Sequence, residues 1–111
     1  MSQPTSQPLV SRKCQECKPG SAPLPATIVA EMLRNVPSWR VQDGILQKDY
    51  TFENHYRVMA FVNAVAWISH KENHHPDMTV GYNKVKVAYF THSVNGLTEN
   101  DFICAAKVDA L

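Results

Sequence analysis

The chain is poor in cysteine, with three in 111 residues. So odd a number argues against a fold held mainly by disulfides, as small secreted domains are. It also lacks charge of one sign: eleven Lys and Arg stand against ten Asp and Glu, a formal +1. Such a balance gives no basic stripe for nucleic-acid phosphates and no acidic solvating tail. No apolar run approaches the ~20 residues that span a bilayer, so no membrane segment is expected. The opening stretch MSQPTSQPLVSRKC has no basic region followed by an apolar one. No secretory signal is therefore expected, and the default setting is cytoplasmic and reducing. Neither G-x-G-x-x-G nor G-x-x-x-x-G-K-[ST] occurs, which leaves nucleotide phosphates without a cradle. No Ser or Cys sits in a nucleophile elbow, so covalent catalysis lacks a candidate.

Proline is present but unevenly placed. Pro4, Pro8, Pro19, Pro23 and Pro25 account for five of the seven and fall in residues 1–25, where no apolar period survives. This stretch reads as a mostly irregular lead-in, followed by a domain over 26–111. Within that domain Ile28, Met32 and Val36 recur at four, beside Val29 and Leu33, and predict a helix over 27–36 that Pro37 ends. Strands over 38–42 and 45–51 flank Asp43-Gly44, a hairpin signal. The longest helix is expected over 54–71. Val58, Phe61, Val62, Val65 and Ile68 form its buried stripe, and Met59, Ala60, Ala66 and Trp67 widen it beyond what one neighbour needs, as for a helix with a sheet on one side and another protomer on the other. Short strands follow over 79–82 and 85–92, the second alternating Val85, Val87, Tyr89 against Lys84, Lys86, Ala88, Phe90 and His92. Thr98, three residues before Asp101, opens a last helix in the manner of a capping box. The order helix-strand-strand-helix-strand-strand-helix predicts an α+β fold: an antiparallel four-stranded sheet with helices packed on one face. A domain this small often gains stability by oligomerising.

Five histidines are many for this length. His74, His75 and His92 fall at element ends, where rigid scaffolds display reacting groups. Imidazole gives or takes a proton near pH 7, so two of them can act as acid and base. The plain alternative is a His-His pair before proline that steadies a helix C-terminus. A metal is the rival use. His70 and His74 have the i, i+4 spacing of zinc ligands, but the run His70-Lys71-Glu72-Asn73-His74 is not H-E-x-x-H, and no metal site is expected. Asp101 can cap its helix and also orient an imidazole, fixing the tautomer. Cys14-x-x-Cys17 is half of a zinc-ribbon pattern. It reads most simply as reduced thiols in a mobile segment, with partial metal binding beside an imidazole or a second protomer as the alternative. Cys104 reads as a small core residue.

His74-His75-Pro76, Tyr82-Asn83-Lys84-Val85, Thr91-His92, Gly96-Leu97-Thr98 and Asp101 together resemble the pterin-4a-carbinolamine dehydratase family. Trp39, Asp43-Gly44-Ile45 and Phe61-x-x-Ala64-Val65-Ala66 continue the resemblance, which spans 27–106. The proline-rich start with its Cys-x-x-Cys looks like the leader of some bacterial members. The resemblance implies a hydro-lyase that removes water from 4a-hydroxytetrahydrobiopterin, the product of aromatic amino acid hydroxylases, to give quinonoid dihydropterin. It thereby implies a part in tetrahydrobiopterin recycling and a functional link to phenylalanine hydroxylase. Such a reaction needs one acid and one base, with neither metal nor redox cofactor, the reduced pterin being substrate. The family pattern puts catalytic histidines on His74, His75 and His92 and the acid on Asp101. His74 and His92 would then transfer protons, His75 would orient the pterin, and Asp101 would hold an imidazole. Many members carry Glu four residues before the first histidine, where this chain has His70. The family also assembles as homodimers or homotetramers. Some animal members bind the dimerisation helices of a homeodomain transcription factor, which implies an oligomeric protein-binding module as the alternative function. Near-neutral charge leaves direct nucleic-acid contact unexpected in either case.

Overall fold

The computed structural model describes residues 7–111, so the first six residues of the expected lead-in lie outside the described residues. Helix α1 spans Ala26–Leu33, strands β1 and β2 span Arg40–Gln42 and Ile45–Thr51, and helix α2 spans His55–Glu72. Strands β3 (Asp77–Val80) and β4 (Lys84–Tyr89) and helix α3 (Glu99–Asp109) complete the order. The four strands form one antiparallel sheet in the order β1-β2-β4-β3. No helix among the described residues is long and apolar enough to cross a membrane.

Local chemistry explains the boundaries. Gln42 pairs with Ile45 across Asp43-Gly44, both at positive φ (56° and 76°), the two-residue turn whose twist suits a hairpin. Asn54 caps α2 by accepting the Arg57 N–H on its side-chain oxygen at 2.9 Å. Asn73, left-handed at φ 52°, ends that helix. Val85, Val87 and Tyr89 of β4 are buried on one face, and Leu46 lies across from Tyr89. Val58, Val65 and Ile68 of α2 and Phe102, Ile103, Ala105 and Val108 of α3 cover that face. Cys104 is fully buried among them. The four residues expected to widen the α2 stripe are exposed in the single chain. Met59 is 41% and Trp67 58% accessible, and Tyr56 beside them reaches 79%.

Three strands differ in their limits from the sequence expectation, the first being β1, which starts at Arg40 rather than at 38 because the Trp39 N–H is taken by Val36 O at 2.9 Å. β3 forms at Asp77–Val80 rather than 79–82, because Gly81 donates to Lys84 O at 2.8 Å and the intervening residues make the turn. β4 stops at Tyr89 rather than at 92. Thr91 pairs with Gly96 across a tight loop instead of with a neighbouring strand. His92–Val94 becomes a 3-10 turn closed by left-handed Asn95 at φ 54°. The alternation through Phe90 and His92 is thus not strand: His92 sits on a turn.

Among the described residues the lead-in carries only the 3-10 turn Leu9–Ser11, yet this part is not loose. Leu9 is buried in the core, and Lys107 donates to Val10 O at 2.8 Å. Arg12 pairs with Glu99, and the Cys14 N–H donates to Glu72 Oε1 at 2.9 Å. Burial opposes ionisation of Glu72, but the Cys14 N–H and the Lys107 and Lys13 charges outweigh it and hold the carboxyl below its usual range. Asn100 accepts the Gln15 N–H at 2.9 Å and returns a bond to Gln15 O at 2.6 Å. The expected mobile setting for the thiols is therefore replaced by an anchored one: these bonds outline the cost of releasing the segment. Further along, Gly20 donates to Ser93 O at 3.3 Å and Leu24 to Leu97 O at 2.9 Å, so the lead-in runs beside the His92 loop.

Gly96 is the point of closest approach. A Cβ built there meets Pro23 Cβ at 2.5 Å, inside any normal contact. Gly96→Ala is expected to push the lead-in off the loop and cost about 1–3 kcal/mol, the usual range for overpacking. Thermal unfolding followed by circular dichroism checks this; an unchanged midpoint would refute it.

Candidate active site

The segment just past α2, the loop after β4 and the start of α3 converge on one side chain, Asp101, which is completely buried. Its position follows from helix capping. As the third residue of α3 it accepts the backbone N–H of the cap residue Thr98 on Oδ2 at 2.9 Å. The Thr91 hydroxyl donates to the same oxygen at 2.8 Å. Because that proton is committed, the 2.8 Å contact between the Thr91 and Thr98 hydroxyls is donated by Thr98. The second oxygen, Oδ1, lies 2.6 Å from His74 Nε2.

An ionised carboxylate only accepts, so this geometry puts a hydrogen of His74 on Nε2, and in the neutral imidazole the lone pair is then on Nδ1. His74 is also fixed through its backbone and ring. Its N–H donates to Ser69 O at 3.2 Å, just past the left-handed Asn73. Its ring stacks on Tyr89, 5.8 Å between centroids and 12° between planes. The Tyr89 hydroxyl is buried with no oxygen or nitrogen partner. Burial, then the neighbouring Cys104 and Cys14 sulfurs, push its phenol well above the usual value. Tyr89 therefore serves as a neutral apolar plate under the imidazole.

The other two histidines are placed differently. His75 is exposed, two residues before Asp77, which pairs with Ala88. His92 is exposed on the 3-10 turn next to Thr91, its ring edge-on to Phe90 at 5.0 Å. Asp101 thus joins His74 directly and reaches the His92 turn through Thr91, whereas His75 follows His74 in the chain. Among the described residues no three His, Cys, Asp or Glu side chains are arranged to hold a metal ion. The i, i+4 pairing of His70 with His74 requires a helix continuing through 74. The helix ends at Glu72, and His70 stacks on Trp67 at 5.6 Å instead.

Two members of this cluster were not singled out as site residues by sequence reasoning. Tyr89 was legible only as an inward strand residue. Thr91 was one letter of a motif, with nothing to show that its hydroxyl meets the carboxylate. Asp101→Asn tests the arrangement. Its oxygen must still accept from Thr91 and Thr98, so its NH2 faces His74 and forces Nε2 to become an acceptor. The variant is expected to fold with the His74 tautomer reversed, read from imidazole 15N chemical shifts; an unchanged tautomer would refute the assignment.

Comparison with known proteins supplies a family for this geometry. The family described as Pterin 4 alpha carbinolamine dehydratase matches residues 22–111. A protein of Dechloromonas aromatica provisionally named pterin-4-alpha-carbinolamine dehydratase is 53% identical over 107 residues, 96% of each chain. One of Nitrosospira multiformis with the same provisional name is 49% identical, covering 96% of this chain and 95% of that one. The crystal structure of a transcriptional coactivator/pterin dehydratase from Brucella melitensis superposes with TM-score 0.76 at 31% identity, over 79% of this chain and 96% of that one. A pterin dehydratase-like protein described as a RuBisCO assembly factor in the alpha-carboxysome gives TM-score 0.58 at 29% identity, over 66% and 87%.

Proposed function

Because the chain belongs to the pterin-4a-carbinolamine dehydratase family, we propose that it removes water from 4a-hydroxytetrahydrobiopterin to give quinonoid dihydropterin. In this role it acts as a hydro-lyase that returns spent pterin to an aromatic amino acid hydroxylase such as phenylalanine hydroxylase. The observation that carries the reading is the His74–Asp101 pair, with two solvent-facing histidines on the segments beside it. Loss of water from a carbinolamine requires a proton on the departing hydroxyl at C4a and removal of one from the adjacent ring nitrogen. His74, with Nε2 tied to Asp101, presents Nδ1 as the base. His92, on an exposed turn in exchange with water, suits the acid. His75 suits a binding and orienting role. Asp101 holds His74 and, through Thr91, the start of the His92 turn. Each proton transfer contributes about 10²–10⁴-fold, and the two draw on imidazoles alone, with the reduced pterin as substrate and no cofactor.

A second reading, an oligomeric module that binds a partner's helices, is favoured by one observation: Tyr56, Met59 and Trp67 leave an apolar face of α2 exposed. The relatives described as a transcriptional coactivator and as an assembly factor are consistent with such a role in this chain as well. The same face suits self-association into a dimer or tetramer, and sizing chromatography of Trp67→Glu against the parent tests it.

The enzyme reading is tested by generating the carbinolamine with phenylalanine hydroxylase and following quinonoid dihydropterin by absorbance. Addition of the protein is expected to accelerate its appearance; no acceleration would refute the reading. His74→Ala and His92→Ala should each lower kcat by about 10²-fold or more. His75→Ala should raise KM more than it lowers kcat.

A further inference from the structure

The thiols of the lead-in take no part in the proposed dehydration, yet the fold brings one of them to the back of α3. Cys14 Sγ lies 3.5 Å from Cys104 Sγ and 3.7 Å from Asn100 O. Cys104 is fully buried, Cys14 half-buried, and both are free. From this juxtaposition we infer that Cys14 and Cys104 form a reversible disulfide that staples the N-terminal segment to α3.

Several features favour the pairing. The backbone on both sides of Cys14 is already fixed on the residues around it. Its own N–H is on Glu72 Oε1, Gln15 exchanges two bonds with the Asn100 side chain, and Arg12 pairs with Glu99. The two sulfurs are in contact in the reduced chain, so the bond forms by a further approach of about 1.5 Å to the normal S–S length, within reach of side-chain rotation. Metal binding is a weaker use of the same thiols, since Cys17 turns to the Asn100 amide, whose Nδ2 lies 3.4 Å from its sulfur.

The oxidant is a small-molecule disulfide, RSSR. One protein thiol loses its proton and attacks RSSR, which releases one RSH and leaves a mixed disulfide. The second protein thiol loses its proton and attacks the protein sulfur of that mixed disulfide, releasing the second RSH. Two protein thiols become one disulfide and RSSR becomes two RSH. The hydrogen bond with Cys104, then burial, push the Cys14 thiol well up, so attack is slow and the exchange is run to equilibrium. The bond closes a loop from residue 14 to residue 104, nearly the whole folded chain, and long loops give the largest constraint on the unfolded state.

The full chain and its Cys17→Ser variant, reduced and then equilibrated with oxidised glutathione, provide the test. In Cys17→Ser both remaining thiols should disappear, and a non-reduced digest should join the peptide of Cys14 to that of Cys104. The unfolding midpoint should rise by about 5 °C or more and return on adding dithiothreitol. Cys104→Ser should show no such rise. Both thiols remaining free in Cys17→Ser, or wild-type digests containing only Cys14–Cys17 or glutathione adducts, would overturn the proposal. None of these readouts depends on the dehydratase reading.

Discussion

A carboxylate with no exposure must have its oxygens matched by donors, since leaving such a charge unpaired costs about 3–5 kcal/mol. Asp101 meets this condition with three donors from three separate segments: the Thr98 N–H, the Thr91 hydroxyl and His74 Nε2. Each donor carries a piece of the site with it. Thr98 sets where α3 begins, Thr91 sets where the chain leaves β4, and His74 sets where the chain goes after α2. The requirement to satisfy one buried group therefore aligns the ends of two helices and a strand to within hydrogen-bond tolerance. The capping box alone would need only Thr98; the other two donors turn a helix start into an organising point.

The sheet supplies the complementary constraint. Tyr89 ends β4 with its ring inward, packed against Trp39 at 6.1 Å on one side and His74 at 5.8 Å on another. Its register opposite Leu46 ties that ring to the centre of the core. The imidazole is thereby held between a carboxylate that fixes its tautomer and an aromatic plate that fixes its plane. Neither contact involves a flexible side chain, because Asp101 and Tyr89 are both fully buried. A side chain anchored this way has little conformational freedom left to lose when a ligand binds beside it.

Much of this was legible in the sequence, and the parts that were not share a cause. Hydrophobic period and turn chemistry gave the element order, the Asp43-Gly44 hairpin and the antiparallel sheet with helices on one face, because these depend on neighbours within a few residues. The capping relation of Thr98 and Asp101 was legible for the same reason. The end of β4 was misplaced because alternation continues through Phe90 and His92, whereas the Thr91–Gly96 bridge that stops the strand depends on a loop closing. The lead-in reads as irregular and mobile because its anchors are distant in sequence: Cys14 reaches Glu72, Gln15 reaches Asn100, Lys107 reaches Val10. Contacts of that kind leave no periodicity behind. Tyr89 beneath His74 was hidden likewise, since strand alternation gives a residue's face but not what lies across from it.

The three histidines, two of them adjacent in the chain, are physically unequal. His74 is nearly buried, bonded at one nitrogen and stacked, whereas His75 and His92 face solvent. A buried, tautomer-locked imidazole is suited to accept a proton at a defined atom, because its orientation is set before substrate arrives. A solvent-facing imidazole is suited to deliver one, because water can restore it between turnovers. The asymmetry arises from chain geometry rather than from residue type. Left-handed Asn73 turns His74 inward toward α3, and the following residue is carried outward on the approach to β3. The Asn73 cap thus belongs to the arrangement that places His74 on Asp101 and leaves His75 in solvent.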